Sequence, residues 1–195
     1  MKKNQDYFLG VIMALAAALL WSILPIMLKI AAKHCSADLI VFSRFSVAAI
    51  VLYIYLVVTR RKLLHVPNNI PLTIVAAIAL SLNYLTYTLG VKYSGAANAG
   101  ILIQSGSVYL TIFGIFLFKE RLNWRQVVGV FLAFFGFLLF FYEKIQFSSD
   151  LQSHYYGTVV TLFSGFVWSV YAVMAKLDKQ NSSDSAFNLW VFLFG

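Results

Sequence analysis

The side chains able to do chemistry in this sequence lie mostly inside long apolar stretches, and they are recognition groups rather than reactive ones. Arg44 is the only basic residue well within such a stretch. A charge at that depth in lipid is costly and normally faces protein or water. Three roles suit it: holding an anionic group of a solute, snorkelling outward, or pairing with Asp38 about two turns away. Further on, Asn83 and Tyr87 share one face at i, i+4, and Tyr84 with Thr88 take the adjacent one. Gly100, Gln104, Ser107 and Thr111 follow helical spacing on one side of the next stretch. Trp21 and Pro25 stand one turn apart near the start. Hydroxyls, amides and aromatic rings at this depth suit the non-covalent binding of a small-molecule substrate in a wet cavity. No nucleophile–base pair or metal-ligand spacing appears, so an enzyme is disfavoured and no cofactor is expected.

Each of these groups also has a plainer role. Asn83 and the two tyrosines would serve as interhelical hydrogen-bonding groups, at about 0.6 kcal/mol apiece. Pure adhesion rarely needs two tyrosines together, which favours cavity lining. Trp21 would suit an interfacial belt, but it lies about twelve residues into its span, too deep for one. Pro25 removes a helical hydrogen bond and bends the chain, as gating elements do. Gly100 and Gly106 supply small surfaces for close approach, with Ala96, Ala97 and Gly114. Glu120, between Lys119 and Arg121, is either a solvated rim charge or a clamp onto the next helix through Arg121 or Arg125.

These residues need helices in lipid to position them. The chain has 195 residues, 61% hydrophobic and only 11% charged. Soluble domains keep about a quarter of their residues charged, so this surface must face a lipid bilayer. The net charge of +8 does not indicate nucleic acid, because the basic residues sit in short gaps between apolar runs. Spans are predicted at 8–32, 39–58, 70–91, 96–118, 127–142 and 155–177. A seventh begins at 186 and stops half-way across, which suggests a fragment or a prematurely ended frame. The first run is too long for a cleavable signal and is read as an uncleaved helix.

Lysine and arginine bias sets the orientation. With the N-terminus cytoplasmic, the inner gaps hold Lys2, Lys3, Arg60, Arg61, Lys62, Lys119, Arg121, Arg125, Lys176 and Lys179, and the outer side only Lys29, Lys33, Lys92 and Lys144. The sixth span also repeats the first. At a constant offset Gly157 matches Gly10, Leu162 Leu15, Trp168 Trp21, Ser169 Ser22, Met174 Met27 and Lys176 Lys29. Five spans separate the copies, so the second enters the membrane from the opposite side. The expected fold class is therefore an all-α, polytopic integral membrane protein: a five-helix unit over 1–145, then the start of an inverted second copy over 146–195. Glycines at 129 and 136 suggest a packing seam on the fifth helix.

Several stretches carry a resemblance. They are Leu20-Trp21-Ser22, Arg44-Phe45, Asn83-Tyr84-Leu85-Thr86-Tyr87, Phe118-Lys119-Glu120-Arg121-Leu122, and Gln126 to Gly129 with Gly136. With them the chain resembles the EamA-type branch of the drug/metabolite transporter superfamily. The resemblance implies ten helices in two five-helix units, and secondary transport of small organic metabolites by alternating access in the cytoplasmic (inner) membrane. Amino acids, nucleosides and related solutes are the substrate classes, export the default direction, protons a candidate coupling ion and a homodimer a candidate assembly. The family commonly carries a proline where this chain has Ser107, which puts the implied kink of the fourth helix in question. A non-transporting assembly protein, or an inactive truncated remnant, is the competing expectation.

Overall fold

The computed structural model describes residues 2–59, 69–147, 151–178 and 184–195. Its helices are α1 (Lys2–Ala31), α2 (Ala37–Val58), α3 (Ile70–Ser94), α4 (Ala96–Leu102), α5 (Ser105–Phe118), α6 (Trp124–Phe147), α7 (Leu151–Asp178) and α8 (Asp184–Phe194). All regular structure among the described residues is helical. Five stretches are long and apolar enough to cross a membrane: Tyr7–Ala31, Ala37–Val58, Ile70–Ser94, Ala96–Phe118 and Gln152–Asp178. The span predicted at 127–142 falls in α6, whose described apolar run, Trp124–Phe137, is shorter. Arg60, Arg61, Lys62, Lys179 and His65 lie outside the described residues.

The boundaries have local causes. Ser36 caps α2 by accepting a hydrogen bond from the Leu39 amide, and Asn69 caps α3 by accepting one from Leu72, with Pro71 in the first turn. Gly95, at φ +89°, divides α3 from α4 in a backbone region that side chains disfavour. Lys119 ends α5 in the left-handed region at φ 52°, and the Glu120 amide then donates back to the Gly114 carbonyl.

The predicted single helix over 96–118 is interrupted at Ile103 and Gln104. There the amides of Gln104, Gly106 and Ser107 donate to carbonyls three residues back, the tighter pattern of a 3₁₀ turn. The interruption the family proline would imply is thus present, but it precedes Ser107. Gly106 accounts for the site: a Cβ there would lie 3.1 Å from the Gly165 carbonyl, so the turn is pressed onto α7.

Polarity is arranged for lipid. Leu15, Leu19, Phe116, Phe131 and many other apolar side chains point outward. Thr73, Asn83, Thr88, Asn98, Thr158, Thr161, Ser164 and Ser169 are buried. In hydrocarbon these polar groups must be satisfied internally. Thr88 donates to Tyr84, Thr161 to Gly157 and Asn98 to Thr158.

The most extensive helix contact joins α3 and α7; α5 also packs on α7, α8 on α2 and α3, and α1 on α4. One core cluster gathers Phe45, Ala76, Ala77, Leu80, Phe187 and Val191, and a second gathers Leu28, Ile40, Tyr87, Val91 and Ala99. Asn98 meets Thr158 near one end of α7 and Glu120 meets Lys176 near the other, so α7 runs parallel to α4 and α5. In contrast, α1 places Pro25 against Gly100 and Lys29 beside Gly95, and so runs opposite to them. The two helices α1 and α7 therefore point in opposite directions.

The seam predicted on the fifth helix is not packed against any described residue. A Cβ at Gly129 or at Gly136 would meet nothing within 4 Å, and both residues are exposed. Two glycines seven apart permit a close neighbour without supplying one.

Candidate functional site

A small cavity of about 50 Å³ lies between the two core clusters. Trp21 and Leu24 come to it from α1, Arg44 from α2, and Asn83, Tyr84 and Tyr87 from α3. The interrupted turn supplies Ile103 and Gln104, α5 supplies Ser107, and α7 supplies Trp168.

Tyr84 is anchored edge-on against Phe45, with ring centroids 5.2 Å apart, and Phe45 is in turn edge-on to Phe192 at 5.4 Å. This aromatic stack fixes the ring on which Arg44 lies. The Arg44 Cζ is 3.9 Å from the Tyr84 centroid, an attractive cation–π placement. Its Nη1 is buried and has no hydrogen-bond partner among the described residues. Of the three roles open to Arg44, the pair with Asp38 is not formed, since Asp38 lines a separate cleft with Phe42, Phe45 and Phe192.

Asn83 combines both roles considered for it. It stands in the cavity wall, yet its Nδ2 donates to the Ser164 carbonyl and Oγ, each at 2.9 Å. Ser164 Oγ returns a bond to the Asn83 carbonyl at 3.0 Å. The α3–α7 contact is thereby locked at mid-depth. A double-mutant cycle of Asn83→Ala and Ser164→Ala, read by unfolding in lipid or detergent, should give a coupling of about 0.6–1.7 kcal/mol.

Thr111 is not brought to this site. Its hydroxyl donates to the Ser107 carbonyl at 2.9 Å and so is spent within its own helix. Gly100 and Pro25 also miss it: they pack together beside a larger open cleft of about 750 Å³, lined in addition by Lys29 and Lys33. Trp21, Tyr87, Ile103 and Gln104 border both spaces and form the partition between them.

Residues 8–142, most of the chain, match the family described as EamA-like transporter family. The chain belongs to that family. It is a family of membrane transporters and not of enzymes. An "Uncharacterized transporter" of Haemophilus influenzae is 28% identical over 192 residues, covering 97% of this chain and 63% of the relative. The "Uncharacterized inner membrane transporter YhbE" of Escherichia coli is 26% identical over 179 residues, covering 89% of this chain and 56% of that protein. The "Probable amino-acid metabolite efflux pump" of Salmonella typhimurium is 24% identical over 174 residues, covering 87% and 54%. The chain thus spans about 60% of the length of these relatives. No solved structure matches it.

In this EamA-like chain Glu120 does not clamp the following helix. Its Oε1 is 2.5 Å from Lys176 Nζ, so the pair joins the end of α5 to the end of α7, and Arg121 and Arg125 are exposed and not paired with it. Gly114 makes room for the carboxylate, since a Cβ there would lie 2.9 Å from Glu120 Oε2. Lys176 Nζ also lies 4.1 Å from the Phe118 ring centroid. The cause is simple: α7, more than fifty residues away in sequence, packs extensively on α5, whereas any contact of α6 with α5 is slight.

Leu24, Ile103 and Trp168 are the cavity residues that local sequence patterns do not single out, and of these Trp168 alone carries a signal. The available signal was its repeat match with Trp21, since a matching residue on an oppositely running helix comes to the same cavity from the other side.

Proposed function

We propose that this chain forms the substrate-binding half of a secondary transporter that moves small organic metabolites across the cytoplasmic membrane by alternating access, with export as its direction. The observation that carries this is the convergence of Arg44, Tyr84, Tyr87, Gln104, Ser107, Trp21 and Trp168 on one mid-depth cavity between helices that otherwise present apolar surface to lipid. An assembly module would have no use for such a cavity. The opposite run of α1 and α7 supports an inverted second unit beginning at the latter, and transporters of that design hold substrate at the repeat interface. Lysine and arginine bias supports a cytoplasmic N-terminus. The name of the Salmonella relative supports amino-acid metabolites among the solutes.

Membrane vesicles containing the protein, assayed with a panel of labelled amino acids, nucleosides and related metabolites, should show saturable flux of at least one class. Gln104→Ala and Tyr87→Phe should each reduce that flux. Unchanged flux in both variants would discard the cavity assignment.

A further inference from the structure

We infer that the cavity is a receptor for solutes carrying a carboxylate, with Arg44 as the group that reads the charge. The inference rests on the transporter function proposed above and narrows its substrate class. Arg44 is held over the Tyr84 face, 3.9 Å from Cζ to centroid. Tyr84 is itself fixed by Phe45 at 5.2 Å. Arg44 lines the cavity, and its buried Nη1 has no acceptor among the described residues. A buried donor without an acceptor is costly, and a guanidinium at membrane depth doubly so.

The other described groups lining the cavity do not relieve that cost. Asn83, Tyr84, Tyr87, Gln104, Ser107, Trp21 and Trp168 are neutral, and no carboxylate is among the lining residues. The nearest acid along α2, Asp38, faces a different cleft. A bound carboxylate satisfies the guanidinium in a planar two-pronged pair, the geometry for which arginine is suited and lysine is not. Gln104 and Ser107 stand in the same wall as neutral hydrogen-bonding groups, and Trp21 with Trp168 gives the organic part of the solute an apolar seat. The same field repels a solute whose only charge is positive, because no counter-charge shares the cavity and screening is weak there. Acids are therefore favoured over their amides, and amides over amines.

The test uses the full chain in lipid nanodiscs and proteoliposomes, with three probes of similar shape: phenylacetate, phenylacetamide and phenethylamine. Binding is read by quenching of tryptophan fluorescence, since Trp21 and Trp168 line the cavity, and flux by uptake of the labelled probes. The acid should bind at least tenfold more tightly than the amide, and the amine more weakly still. Arg44→Gln should bring acid and amide within about threefold of each other, and Arg44→Lys should keep part of the preference, which separates loss of charge from loss of fold. Equal binding of the amide or amine in the unaltered protein overturns the inference, as does a preference that survives Arg44→Gln or no binding of the acid at all. If the amide or amine is carried as well as the acid, transport stands and only the carboxylate assignment falls. If no probe and no panel metabolite crosses, the transporter function itself falls.

Discussion

Gly157→Ala should lower the midpoint of thermal unfolding by about 5 °C, and Gly129→Ala should leave it unchanged or raise it. A Cβ at Gly157 would lie 2.5 Å from the Ser94 amide nitrogen and 2.9 Å from the Tyr93 carbonyl carbon. Both are backbone atoms at the C-terminal end of α3, so no side-chain rotation relieves the overlap. Either α7 moves away from α3 or the end of α3 deforms. The first choice loosens the main contact of the bundle, including the Asn98–Thr158 bond and the edge-on Tyr93–Tyr156 pair. Overpacking of this kind costs about 1–3 kcal/mol, which for a chain of this size is several degrees. Gly129 has open space around it, so alanine there gains helix propensity of up to about 1 kcal/mol and meets nothing. Circular dichroism melts of the two variants in one detergent decide the matter.

Cross-linking position 120 to position 176 should abolish transport while leaving solute binding in place. The ends of α5 and α7 meet here through Glu120 and Lys176, with Lys176 also over Phe118. Both charged groups are half exposed, so the ion pair alone is worth no more than about 1 kcal/mol, and neutralising Glu120 should cost little stability. A weak contact between two packed elements is what a repeatedly opened end requires. A covalent tie cannot open. Cys35 is the only cysteine in the chain and is exposed, so Cys35→Ser gives a clean background. With Glu120→Cys and Lys176→Cys added, a short bifunctional thiol reagent should stop flux, and a cleavable version should restore it on reduction. Full flux after complete cross-linking would show that this end stays closed throughout the cycle.

What could be read in the sequence was what depends on neighbours along the chain. Helices long enough to span show in hydropathy, and Asn83 with Tyr87, or Gln104 with Ser107, show in helical spacing, because one turn of helix fixes which residues share a side. What spacing does not carry is the identity of the opposing helix. Sequence proximity offers the Glu120 carboxylate only solvent or nearby arginines, and the fold gives it Lys176 instead. Thr111 has the right periodicity, but its hydroxyl is taken by its own helix. The break at Ile103 and Gln104 has no proline or glycine at the break itself; it depends on Gly106 meeting Gly165 on α7. Gly129 and Gly136 mislead for the complementary reason, as small residues allow contact and do not compel it. Trp168 was legible only through the internal repeat, the one long-range signal the sequence holds.

The central claim is that solute binds in the cavity bordered by Gln104 and is carried through it. It is tested most directly by Gln104→Cys in the Cys35→Ser background, treated with a small hydrophilic thiol reagent in membranes. Gln104 is exposed at the turn between α4 and α5 and borders both the inner cavity and the larger cleft. The thiol should be labelled, transported solutes should slow its labelling in proportion to their binding, and labelling should block flux. Labelling that a transported solute leaves unchanged, with flux intact after modification, would contradict the account.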